Sequence, residues 1–187
     1  MNPDNFIQII TDRLIIRPVQ PEDADAIFGY RSNAAVNRYQ GWIPETIQDV
    51  HHFIAQKVAH EINVSGTWFQ FVVIKKENNE LIGDMGIHFM ASDVTQVEIG
   101  CTLSEKHQGR GNATEALKAM INYLFTELDK RRIIASIDPR NIPSINLFER
   151  LEFRKEAHLK ECLFINGEWV DDLIYAILKD ETNILRN

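Results

Sequence analysis

The stretch Gln108-Gly109-Arg110-Gly111-Asn112-Ala113 concentrates the sequence features best suited to holding a ligand. Glycines at 109 and 111 let the chain bend tightly and approach a ligand closely, because neither carries a Cβ. Downstream, Ala113, Leu117, Met120, Ile121, Leu124, Phe125 and Leu128 fall on one helical face, so the turn opens an amphipathic helix. The first turn of a helix leaves backbone N–H groups without internal partners, at the positive end of its dipole. Turn and helix together form an anion site suited to a pyrophosphate, to which Arg110 can add a charge-assisted contact. An ordinary tight turn would use the same glycines. No G-K-[ST] closes the motif, and G-x-G-x-x-G is absent, so it is neither a P-loop nor a dinucleotide-binding fingerprint.

The surrounding pattern must position this turn. Residues 13–19 read as a strand, and Pro21 with Glu22, Asp23 and Asp25 opens a short helix. Residues 34–45 are irregular, and a helix from about Thr46 carries Ile47, Val50, Ile54, Val58 and Ile62 on one face. Residues 68–75, 80–89 and 95–103 read as three strands joined by short connections, an antiparallel meander. After the helix that follows the turn come a buried strand over 132–137 and a short helix over 141–150. Strands over 154–164 and 168–178 are joined at Asn166-Gly167. The order predicts an α+β domain, helices packed on a mixed sheet.

Composition bounds the function. The chain has 187 residues and a net charge of -7, the opposite balance from a typical nucleic-acid binder. An acidic surface suits a cationic substrate, and it also simply keeps a protein soluble. Cys101 and Cys162 form no C-x-x-C pair, and the start MNPDNFIQII lacks a basic, then apolar, leader. No run of ~18 apolar residues exists. These features predict a cytoplasmic protein with reduced thiols, no membrane segment and no nucleic-acid partner. The six histidines, including His51-His52, form no metal-ligand spacing, so no metal site is expected.

Several motifs in register carry a resemblance. Gln108-x-x-Gly111-x-Ala113 resembles the Q/R-x-x-G-x-G/A signature of the GNAT acetyltransferase superfamily. The preceding Glu98-Ile99-Gly100-Cys101-Thr102-Leu103 is similar to that family's fourth strand, and Thr114-Glu115-Ala116 to the start of its third helix. Asp138-Pro139-Arg140-Asn141-Ile142-Pro143-Ser144 resembles the passage from its fifth strand into the next helix, and Phe6 to Pro18 the start of the RimJ/RimL branch. The likeness runs from about residue 7 to 180. It implies a single acetyltransferase domain over 1–187 with a mostly antiparallel sheet of about seven strands, splayed between the fourth and fifth. It also implies acetyl-CoA as donor and a primary amine as acceptor, either a polypeptide N-terminus or a small amine, in a monomer or homodimer.

The resemblance further assigns residues. Backbone groups of Ile99, Cys101 and Leu103 would pair with the pantetheine arm, and amides of Gln108, Gly109, Arg110, Gly111, Asn112 and Ala113, with Thr114 behind them, would take the pyrophosphate. Asn141 would hydrogen-bond the arm and Phe148 pack against it. Many members carry a tyrosine acid where this chain has Phe148, which has no proton to give; Ser144 is then the donor to the leaving thiolate. The usual Gly-Phe is Glu152-Phe153 here.

Acyl transfer requires a neutral amine, yet alkyl ammonium groups have pKa values near ~10 for lysine and ~8 for an α-amine. A base is needed. Glu98 is the first candidate, on the strand face opposite Ile99 and Cys101, with Glu161 and Asp172 as alternatives. An ordinary strand carboxylate explains Glu98 equally well, and helix capping explains Asn141 and Ser144. Cys101 has no base predicted beside it and reads as a small buried residue. Tyr39 and Trp42 line an acceptor pocket or belong to the core. A non-catalytic acyl-CoA-binding module of the same fold, and a protein using only its acidic surface, are the rival functions.

Overall fold

The computed structural model describes residues 7–165, 167–182 and 184. One eight-stranded sheet runs through it: β1 (Ile9–Ile10), β2 (Leu14–Pro18), β3 (Trp68–Lys75), β4 (Leu81–Phe89), β5 (Gln96–Leu103), β6 (Arg132–Ile137), β7 (Arg154–Ile165) and β8 (Glu168–Leu178). Its spatial order is β1-β2-β3-β4-β5-β6-β8-β7, antiparallel everywhere except between β5 and β6. The strand beyond the expected seven is β1, whose two residues pair with Ile15 and Ile16 and are too short to leave a periodic signal.

Alternation along the strands divides the sheet into two faces. On one face Phe69, Phe71, Met85, Ile87, Val97, Ile99, Ile133 and Ala135 pack against α3 (Asn112–Thr126) and α4 (Ile142–Arg150), forming the main core. On the other, Val72 packs with Ala24, Ile27, Val50 and Ile54 from α1 (Ala24–Arg31) and α2 (Ile47–Gln56). That second face also carries the polar side chains Gln70, Asp84, His88, Glu98, Thr102, Ser136 and Asp172.

Local chemistry starts each helix. Asp23, expected as a dipole-favoured acid ahead of α1, accepts from Gln20 N–H at 2.8 Å and takes a two-pronged ion pair from Arg17 at 2.7 Å. Thr46 and Asp49 form a reciprocal capping box on α2. This helix ends at Gln56, before the predicted Val58 and Ile62, because Val58 bridges Trp68 and Ala59 N–H donates to Trp68 O at 2.8 Å. The chain there leaves the helix to meet the sheet. Both His51 and His52 are exposed, so neither reaches a core edge. Asn166 of the predicted hairpin turn and Phe6 of the N-terminal stretch lie outside the described residues. Among the described residues no helix is long and apolar enough to cross a membrane.

Candidate active site

Beyond Leu103 the chain makes a short 3-10 turn, Glu105–His107, and then the glycine turn. Two side chains hold the bend from inside. Gln108 Nε2 donates to Leu103 O at 2.9 Å, and the buried Asn112 Nδ2 donates to His107 O at 3.0 Å. Gly109 and Gly111 sit in the left-handed region, at φ 69° and 79°, where a side chain would be strained. Gly111 caps α3, whose first backbone bond is Glu115 N–H to Gly111 O at 3.0 Å. Among the described residues, the N–H groups of Gly109, Arg110, Gly111, Asn112, Ala113 and Thr114 have no acceptor, and residues 108–111 are exposed. The expectation included the Gln108 amide. It is occupied instead, donating to Glu105 O at 3.2 Å, because the 3-10 turn closes on it. A row of orphan amides at an open helix mouth fits a diphosphate.

A gap in the sheet leads to this mouth. β5 and β6 pair only through Gln96↔Arg132, Val97↔Ile133 and Glu98↔Ile134, while β6 continues along β8 to Ile137↔Leu173. From Ile99 onward no strand of the described residues lies on the β6 side of β5. Ser104 N–H bonds Ile82 O at 2.9 Å and Met90 N–H bonds Gln96 O at 3.3 Å, which fixes the alternation. Gly100 and Thr102 therefore pair with β4, and the backbone groups of Ile99, Cys101 and Leu103 point into the gap. An extended ligand arm can pair there as an added strand. The Leu103 carbonyl already accepts from Gln108, so its second lone pair is what remains.

The polar sheet face holds the titratable groups. Glu98 stands on it, across the sheet from Ile99 and Cys101, with its side chain 27% exposed. Burial raises the Glu98 carboxyl above its ordinary range, and the charge of Asp172 adds to the effect. Asp172 is buried on β8 and is itself raised, mainly by burial, although Ser136 Oγ lies 2.8 and 2.9 Å from its two oxygens. Asp172 thus lies close enough to Glu98 for its negative charge to add to the rise there, while the rise at Asp172 itself comes mainly from burial, with the charge of Asp138 adding. Glu161 does not join them: it is exposed on β7, the outermost strand, at φ 44°.

Deeper on this face, Arg31 binds Asp84 through Nε and Nη2, both at 2.8 Å. Gln70 Nε2 donates to the same carboxylate at 2.9 Å, and the Arg31 guanidinium lies 5.4 Å from the Trp42 ring centroid. Trp42 also stacks on Phe53 at 4.4 Å, so it belongs to the helix-pair core. Tyr39 instead reaches the loop between β6 and α4, where Arg140 lies 5.8 Å from its ring. Sequence reasoning missed His88, Ser136, Arg31 and Asp84. For Asp84, His88 and Ser136 the signal was a polar residue within an otherwise apolar strand; Arg31 stands in α1, outside that pattern.

On the other face, Asn141 caps α4, accepting from Ser144 N–H at 3.3 Å through Oδ1. The amide nitrogen of Asn141 and the hydroxyl of Ser144 have no hydrogen-bond partner among the described residues, and both side chains are half-buried. Phe148 is buried edge-on against Phe153 at 5.0 Å. Cys101 packs on the main core, where burial pushes its thiol up to about 12.

A family model described as an acetyltransferase (GNAT) domain matches residues 13–154. The uncharacterized N-acetyltransferase p20 of Bacillus licheniformis is 34% identical over 92% of this chain and 97% of its own length. The [ribosomal protein uS5]-alanine N-acetyltransferase of Escherichia coli is 29% identical, over 91% of this chain and 90% of its own. The crystal structure of a GNAT-family acetyltransferase from Bacillus anthracis superposes with a TM-score of 0.82 at 31% identity, covering 94% of this chain and all of that one. The chain is an acetyltransferase enzyme and belongs to the GNAT family, in its RimJ/RimL-like branch.

Proposed function

We propose that this protein, acting as a single domain, transfers the acetyl group of acetyl-CoA directly to a primary amine while both substrates are bound together. The observation that carries the reading is a single geometry: the β5–β6 gap opens from the orphan amides of α3 to the Glu98–Asp172 pair. Bound acetyl-CoA would supply an activated thioester carbonyl.

The chain's own groups do the rest. Amides from Gly109 to Thr114 would hold the diphosphate, and Ile99, Cys101 and Leu103 would pair with the arm through their outward backbone groups. Asn141 would donate its free amide to that arm, beside the wall of Phe148. Glu98 takes the proton from the incoming ammonium, directly or through water, and its raised proton affinity suits that task. The neutral amine forms its N–C bond as the C–S bond breaks. Ser144 gives its hydroxyl proton to the departing sulfur and regains the proton that the new amide nitrogen sheds.

The acceptor class follows from the same acid–base argument. At neutral pH about a tenth of a free α-amine is already neutral, against well under about 1% of a lysine amine. A carboxylate base such as Glu98 is matched to the former. Likeness to the uS5-alanine enzyme also supports a polypeptide N-terminus as the first acceptor to test, with small amines next. The test is release of free CoA thiol in a screen of N-terminal peptides and small polyamines. Turnover on at least one primary amine is expected. Unchanged melting at saturating acetyl-CoA, with no thiol released by any acceptor, overturns the reading.

A further inference from the structure

Arg13, in the turn between β1 and β2, is far in sequence from the glycine turn and touches it directly. Its Nη1 donates to Arg110 O at 3.2 Å. Its Nε donates to Glu115 Oε2 at 2.6 Å and its backbone N–H to Glu115 Oε1 at 2.9 Å. Thr11 Oγ1 completes the knot, donating to Glu115 Oε1 at 2.5 Å and accepting from Leu14 N–H at 3.0 Å. Glu115 is held below the ordinary carboxylate range against its own burial by the hydrogen bonds from Thr11 and Arg13. The β1–β2 turn is thereby tied to the first turn of α3.

The consequence lies in one peptide plane. A trans peptide is planar, and its C=O and N–H point in opposite directions. Arg13 holds the Arg110 carbonyl toward the β1–β2 turn, so the N–H of Gly111 is turned the other way, into the open mouth. Without that grip the plane can rotate and offer a carbonyl oxygen to an anion. The fit is close: a Cβ on Gly111 would lie 3.4 Å from Arg13 Nη2.

We infer that Arg13 is a positioning residue for the donor: through the Arg110 carbonyl and Glu115 it aims the Gly111 amide at the diphosphate. The inference rests on the proposed acetyl-CoA site. It is distinct from a direct contact, in which Arg13 would itself bind a phosphate from the cavity of about 500 Å³ that it lines with Lys75, Lys76 and Arg110.

Calorimetric titration of CoA, and of dephospho-CoA lacking the ribose 3′-phosphate, into wild type, Arg13→Ala, Arg13→Lys and Glu115→Gln separates these roles. Arg13→Ala should weaken CoA binding about tenfold, the size of one lost charge-assisted hydrogen bond. It should raise KM for acetyl-CoA equally, while kcat at saturating donor and KM for the acceptor stay within about twofold. Arg13→Lys keeps the charge but cannot bridge Arg110 and Glu115 at once, so it should not restore binding. Glu115→Gln leaves Arg13 in place but loosens it, giving a smaller loss in the same direction. It also decides the matter if Arg13→Ala fails to fold. The loss should be equal for CoA and dephospho-CoA. A loss confined to CoA, full rescue by lysine, or unchanged affinity in both the alanine and glutamine variants overturns the inference. Absence of CoA binding by the wild type would instead sink the donor site on which it rests.

Discussion

Glu98 and His88 stand directly opposite each other across β5 and β4, with His88 Nδ1 4.0 Å from a carboxylate oxygen of Glu98. Trp68 stacks on the imidazole, ring centroids 4.8 Å apart and planes 10° from parallel, and holds it in place. Glu98 is thus a half-buried carboxylate with one imidazole beside it and a second carboxylate, Asp172, on the far side of the gap. If it is the base, Glu98→Gln should lower kcat by about 10²–10⁴-fold, the usual scale for removing general-base catalysis. The shift in melting temperature produced by acetyl-CoA should not change, since the donor mouth is untouched. Turnover within about threefold of wild type would exclude Glu98 from that role.

The pH profile gives an independent check. The base must be ionised to act, so kcat/KM should fall as pH drops through the Glu98 pKa. That limb should lie above the ordinary glutamate value of about 4.3, because burial first and Asp172 second disfavour the charged form. Asp172→Asn removes the neighbouring negative charge and should move the limb to lower pH. A limb that stays in place means that the two carboxylates are not coupled.

Stability should show the converse. A carboxyl whose folded pKa is raised binds its proton more tightly folded than unfolded. Its contribution to stability is fully present below the unfolded value and is lost as pH rises through the folded one. Glu98 and Asp172 both behave this way, so at neutral pH their charges destabilise the fold. Glu98→Gln should therefore melt higher than wild type at pH near ~7, with the difference vanishing below pH ~4. A variant that melts lower at neutral pH would contradict this sign.

Much of this architecture was legible in the sequence because it is written in local patterns. Alternation separated Glu98 from Ile99 and Cys101, and the helical period of Leu117, Met120, Leu124 and Phe125 announced α3. The glycine turn was readable because φ near 69° and 79° at Gly109 and Gly111 calls for glycine. What could not be read was who meets whom across the chain. Asp172 and Ser136 approach only because β8 pairs with β6. Arg31 finds Asp84 only once α1 lies on the sheet, and Arg13 finds Arg110 only once β2 lies beside α3. The end of α2 was misjudged for the same reason: the apolar rhythm of Val58 and Ile62 continues, but Val58 is claimed by Trp68.

The Arg31–Asp84 pair should dominate the stability of the polar face. Both groups are buried, and Gln70 and Thr102 complete their hydrogen bonds. Removing one partner leaves a charge without compensation in a place water barely reaches. Asp84→Ala should therefore cost roughly 3–5 kcal/mol in urea unfolding. Replacing both partners by apolar residues of similar volume should recover most of that loss. A cost below about 1 kcal/mol for Asp84→Ala would mean that the pair is far better solvated than its burial indicates.

Cys101 tests whether transfer is direct. A double-displacement route would place the acetyl group on an enzyme nucleophile, and Cys101 is the thiol that borders the gap. Its environment opposes this. Burial, with the charge of Asp84 adding, pushes the thiol up to about 12. At pH near ~7 only about one thiol in 10⁵ is then ionised, and the thiolate is the reactive form. Its side chain also packs on the core face, away from Glu98, so the proposed base is not placed to activate it. Cys101→Ala should keep kcat within about threefold of wild type. Intact-mass analysis of the wild type with acetyl-CoA alone should find no protein carrying an added acetyl group on that thiol. A stoichiometric adduct that disappears when acceptor is added would replace direct transfer with a covalent intermediate, and would require Glu98 to act in a second step.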